Sequence, residues 1–167
     1  MKKSPNKFDL ALSILIVLIA VSLMAGIYFR LFRLHIIFGD FFYHHWATII
    51  GTSLIAIYTI LYPTLKRRYP KNFKTLQRVH VFGNLLAVML VSIHFTTEIT
   101  RPPQSRPEFS TGIILYPTMF LLVLTGFLRR FPVRRGIETQ LKFVHVGLTL
   151  TFYSVIVVHV LHGLGFL

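Results

Sequence analysis

The chain is organised by where charge is missing. Residues 10–29, 46–65, 79–97, 109–128 and 143–164 contain no Asp, Glu, Lys or Arg, and the runs are 20, 20, 19, 20 and 22 residues long. An α-helix of about 20 apolar residues crosses a hydrocarbon core about 30 Å thick. The pattern therefore predicts an all-α fold: a polytopic membrane helical bundle with five transmembrane helices, forming a single transmembrane domain over 1–167. Lys2 and Lys3 resemble the n-region of a signal peptide, but the run that follows exceeds the usual ~7–15 apolar residues, so it is read as a retained helix.

The connections are short. Segment 30–45 is rich in aromatics (Phe32, Phe38, Phe41, Phe42, Tyr43) and is expected along the outer interface, leading into Trp46. Tyr69-Pro70 breaks the second connection, and Pro102, Pro103 and Pro107 make the 98–110 loop extended and stiff. Pro63 and Pro117 are expected near helix ends, where a kink is tolerated.

Charge then sets the orientation. The chain has 18 Lys+Arg against 5 Asp+Glu, a net charge of +13, which in a soluble protein would suggest nucleic acid. Its distribution gives a different cause. Fourteen of the basic residues fall in the N-terminal tail, the 66–78 loop and the 129–142 loop, and only Arg30, Arg33, Arg101 and Arg106 fall on the other side. By the positive-inside rule the N-terminus is cytoplasmic and the C-terminus outside, with anionic lipid headgroups as the counter-charge and no nucleic-acid partner. A prokaryotic plasma membrane is the default location for so compact an integral membrane protein. With no cysteine, disulfides, iron–sulfur clusters and c-type haem attachment are excluded. No GxGxxG or phosphate-binding loop is present, and the connections are too short for a nucleotide or flavin domain.

The histidines carry the chemistry. His80 and His94 lie 14 residues apart in the third run, and His145 and His159 lie 14 apart in the fifth. Fourteen residues fall 40° short of four helical turns, so each pair shares a helix face, with about 21 Å between its members. Eight randomly placed histidines give about 0.3 pairs at this spacing, so two pairs in helices of the same direction are not a composition effect. At matched depths His80 faces His145 near the cytoplasmic side and His94 faces His159 near the outer side. Two facing imidazoles at two depths suit two b-type haems with bis-histidine ligation: His80 and His145 on the inner iron, His94 and His159 on the outer. Any single membrane histidine is equally well an interhelical hydrogen-bonder. Zinc is disfavoured, because four histidines spread over about 21 Å do not converge on one ion and no nearby Asp, Glu or Cys completes either half.

Other residues fit a cofactor surface over 76–165. Gly83 and Gly147 lower the helix surface near His80 and His145, Ala87 keeps the middle of its face small, and Phe152 is expected between the haems, or else as an ordinary core or lipid-facing ring. Arg78 and Lys142 are candidates for the inner haem propionates, with Arg129, Arg130, Arg134 and Arg135 as further candidates there. Arg101 or Arg106 could serve the outer haem, and topology alone accounts for each of these cations equally well. His44 and His45 either line an outer quinol or acceptor site or sit in the interface. His162 is rotated about 100° off the ligand face, and His35 has no assigned role.

Arg78-Val-His80-Val-Phe-Gly83 through His94, then Ser110-Thr111-Gly112, the basic turn 129–135, and His145 with His159 resemble the ferric-reductase-like transmembrane domain over roughly residues 46–165. The resemblance implies haem ligation by His80, His94, His145 and His159 and electron flow from the cytoplasm outward. Members of that family usually continue through a sixth span into a flavin and nicotinamide domain. The five-helix form lacks it, so the donor is expected to be a separate protein or a membrane quinol. The primary reading is a di-haem cytochrome b, the electron-transfer component of an oxidoreductase with no side-chain catalysis. Two alternatives stand beside it: a quinol-linked or metal-ion reductase in its own right, and a haem-free membrane anchor or scaffold subunit.

Overall fold

Each charge-free run becomes a helix, and each helix extends beyond its run because polar flanks cap and complement its ends. The structure, a computed structural model, describes residues 6–31, 37–38, 41–102, 110–131, 136–163 and 166. Five helices are present: α1 Lys7–Tyr28, α2 Tyr43–Arg68, α3 Phe73–Ile99, α4 Ser110–Arg130 and α5 Glu138–Gly163. All five are long and apolar enough to cross a membrane. Large apolar side chains such as Leu15, Ile50, Leu86, Ile114 and Leu150 stay exposed along them, more than a water-facing surface usually carries.

The ends follow from capping. Asn6 begins α1, its Oδ1 accepting from the Phe8 N–H at 3.1 Å. At the other end Arg30 adopts φ 58°, Leu31 N–H donates to Gly26 O at 2.8 Å, and Arg30 N–H donates to Ile27 O at 3.0 Å. This is a Schellman closure with arginine where glycine is usual. α2 starts before the expected boundary and runs on through Lys66, Arg67 and Arg68, whose charges complement the negative end of the helix dipole. Arg129 and Arg130 do the same for α4. Pro63 and Pro117, expected near helix ends, lie inside α2 and α4. Ahead of α2, Ile37–Phe38 pairs antiparallel with Phe41–Phe42, so part of the 30–45 segment folds back on itself. A 3₁₀ turn, Pro70–Asn72, joins α2 to α3.

The chain divides into two compact units. In the first, Asn6–Pro102, α3 lies against both α1 and α2, and it contributes buried Leu85, Ala87, Ser92, Ile93 and Thr96. α2 and α3 run antiparallel in close contact. A Cβ at Gly51 would lie 2.9 Å from the Ala87 carbonyl oxygen and 3.1 Å from Val91 Cγ2, and a Cβ at Gly83 would overlap the Tyr58 ring. Small residues at such crossings let helix backbones approach, the main source of attraction between helices in lipid.

Between α1 and α3 the link is ionic. Arg78 Nη2 lies 3.0 Å from Asp9 Oδ1 and Nε donates to Oδ2 at 3.2 Å, with the Asp9 side chain buried. Such a two-point pair is the strong form of the arginine–carboxylate contact. Arg78 is half exposed, so the cost of breaking the pair is moderated by solvent. Asp9→Ala is expected to destabilise the purified protein by about 1–3 kcal/mol, read as a lower thermal unfolding midpoint in detergent, with Asp9→Asn shifting it in the same direction.

The second unit holds α4 and α5. Thr118, Met119, Leu122 and Thr125 of α4 are buried, as is Phe152 of α5.

Candidate functional site

The second unit holds its two histidines by a repeated device. On α4, Thr111-Gly112 and Thr125-Gly126 are the same two-residue step, 14 positions apart, the spacing of His145 and His159 on α5. The helices run antiparallel, so Thr125-Gly126 meets His145 and Thr111-Gly112 meets His159. Thr125 Oγ1 lies 3.0 Å from His145 Nδ1, and Thr111 Oγ1 lies 2.8 Å from His159 Nδ1. The glycines make room for the rings: a Cβ at Gly126 would sit 3.2 Å from His145 Cε1, and one at Gly112 would sit 3.6 Å from His159 Cε1.

For His145 these bonds fix the tautomer. Its Nδ1 lies 3.1 Å from the Leu122 carbonyl oxygen, which only accepts, and the Thr125 hydroxyl donates to that same oxygen at 2.9 Å. The proton is therefore on Nδ1 and the lone pair on Nε2. An imidazole anchored through Nδ1 to a carbonyl or hydroxyl is the usual arrangement of a metal-ligating histidine. Gly147, expected to lower the helix surface near His145, stands about 160° round the helix from it, and nothing within 4 Å would meet a Cβ there. Lys142 is exposed.

The first unit treats its histidines differently. The α3 face carrying His80, Gly83, Ala87 and His94 packs against α2. His80 stacks on Tyr62, with ring centroids 4.4 Å apart and planes 18° apart. The Asn84 amide nitrogen lies 3.3 Å from His80 Nδ1 and 3.5 Å from Nε2. The Tyr58 ring fills the space above Gly83 that the sequence assigned to a cofactor, and Ala87 is fully buried beneath Gly51. Arg78, read as a propionate partner, is engaged by Asp9.

At the far end of this face one expectation is corrected. An acidic residue does stand beside the third-helix histidine. Glu98, one turn after His94, brings Oε1 to 3.9 Å from His94 Nδ1 and to 3.9 Å from His45 Nε2 on α2. The two imidazole rings are 5.7 Å apart. Arg101 Nη2 lies 2.9 Å from the same Glu98 oxygen, and Glu98 is buried at 7% exposure. The donor atoms of His45, His94 and Glu98 all lie within 4.8 Å of one another. His45 was legible only as one of two interface candidates, and its meeting with Glu98 depends on how α2 packs on α3.

His35, Arg106, Arg134 and Arg135 and the side chain of His44 lie outside the described residues. His162 is exposed near the end of α5. Comparison with protein-family models, curated proteins and solved structures returns no match to the chain.

Proposed function

We propose that the chain is a membrane-embedded di-haem cytochrome b, the electron-transfer component of an oxidoreductase. Its N-terminus lies on the cytoplasmic side and a prokaryotic plasma membrane is its expected location. The observation that carries this reading is the paired Thr-Gly cradle, which sets a threonine hydroxyl against Nδ1 of both His145 and His159. For His145 the cradle leaves the lone pair on Nε2, the donor an iron would take. The fourteen-to-four distribution of basic residues supports the orientation.

In this proposal His145 and His159 would each hold one haem iron, with His80 and His94 as the remaining ligands, and the bound haems would supply one-electron transfer. Thr111, Thr125 and the Leu122 carbonyl hold the ring orientations through their Nδ1 contacts. Lys142 and the nearby arginines Arg129 and Arg130 are cations suited to anionic propionates. No side chain makes or breaks a covalent bond.

The test is a reduced-minus-oxidised spectrum of the detergent-purified protein, with a pyridine haemochrome count. Two b-type haems per chain are expected. No haem from cells able to supply it would end the proposal and favour an anchor or scaffold subunit.

A further inference from the structure

The outer-end cluster of the first unit has a chemistry of its own. We infer that His45, His94 and Glu98 form a binding site for a divalent first-row transition-metal ion of the zinc class. Two helices bring the donors together: His45 from the start of α2, and His94 and Glu98 from successive turns of α3. Two imidazole nitrogens and one carboxylate oxygen make a three-ligand set that leaves a fourth position open, a composition typical of zinc. Imidazole donors disfavour magnesium and calcium, which take oxygen ligands.

The geometry is close to what such an ion needs. Ligands at about 2.0–2.1 Å in a tetrahedron stand about 3.3–3.4 Å apart. Glu98 Oε1 is already 3.9 Å from both His45 Nε2 and His94 Nδ1, so small side-chain rotations close the site. Burial of Glu98 places the carboxylate where a cation gains most from it. Arg101 bonds to the same carboxylate. A carboxylate has about four lone-pair directions, so it can hold the guanidinium and a metal ion together.

This site goes beyond the cytochrome reading and does not depend on it. A neutral imidazole has a single lone pair, so His94 holds either this ion or a haem iron. The chain is therefore tested in its haem-poor form. The full-length protein, carrying a histidine-free affinity tag, is purified from cells starved of haem precursor and dialysed to equilibrium against zinc. The expected result is one zinc per chain, with two imidazoles in its X-ray absorption spectrum. His45→Ala and Glu98→Gln should each weaken binding about tenfold or more, and His162→Ala should leave it unchanged. Circular dichroism verifies that each variant keeps its helix content, and His45→Gln replaces any variant that does not. Absence of stoichiometric zinc, or equal binding in the His45 and Glu98 variants, overturns the inference. The haem count of the same chain from haem-replete cells separates the two claims. A haem-free chain that still binds zinc ends the cytochrome proposal alone, and a two-haem chain whose haem-poor form takes no zinc ends the ion site alone.

Discussion

Replacing His145 or His159 with alanine is expected to halve the haem content, each change emptying one iron's site and leaving the other. Under the proposed ligation, loss of the imidazole removes a bond to iron, and the α4 groups opposite each ring are hydroxyls and a carbonyl already engaged with Nδ1. The partner variants His80→Ala and His94→Ala should empty the same two sites, inner and outer in turn. If all four variants keep two haems, the ligand assignment is wrong. If only the α5 variants lose haem, the second axial nitrogens come from elsewhere, a result to which the stacking of His80 on Tyr62 gives particular interest.

The cradle refines this expectation. His145 Nδ1 has two partners, Thr125 Oγ1 and the Leu122 carbonyl, whereas the contact shown at His159 Nδ1 is the Thr111 hydroxyl. Thr111→Val should therefore weaken its haem about tenfold, and Thr125→Val should do less. Haem retention during detergent dialysis, followed at the Soret band, orders the two variants. The reverse order would mean that the hydroxyls do not orient the rings.

The second large effect is expected at Gly51. Its missing Cβ is what allows α2 to reach the backbone of α3. The nearest obstacle is the Ala87 carbonyl oxygen, which cannot rotate aside as a side chain could. Gly51→Leu must separate the two helices, with an overpacking cost of about 1–3 kcal/mol. The thermal midpoint in detergent should fall by roughly 2–12 °C. Ile50→Leu is the matched control, since Ile50 is the neighbouring α2 residue and its side chain is exposed. An unchanged midpoint in Gly51→Leu would show that α2 and α3 do not pack as described.

Much of this architecture is written in local composition. A run of about 20 residues without charge specifies a helix of membrane-spanning length whatever its neighbours do, which is why all five helices coincide with such runs. Their ends were less legible. Asp9 continues α1 because Arg78, 69 residues away, pairs with it. Lys66 to Arg68 continue α2 because a helix C-terminus favours cations. The histidine spacing was visible because it is periodic. The Thr-Gly step on α4 repeats at the same interval and was equally available, but its meaning appears only when α4 is laid antiparallel to α5. His45 and Glu98 share no period and stand 53 positions apart. Their meeting is a product of packing, and no single-helix pattern contains it.

Ser13, Thr59, Thr96, Thr97, Thr118 and Thr149 each donate to a carbonyl four residues back in their own helix. Helices built this way bring their hydroxyl donors into hydrocarbon already satisfied. His145 and His159 differ, because the partners of their Nδ1 atoms belong to α4. Under the proposed topology, α5 entering the bilayer alone would carry two imidazoles stripped of those partners, whereas α4 and α5 leaving the translocon as a hairpin would carry them in satisfied. The seven residues 131–137 between α4 and α5 thus join two segments that favour joint insertion.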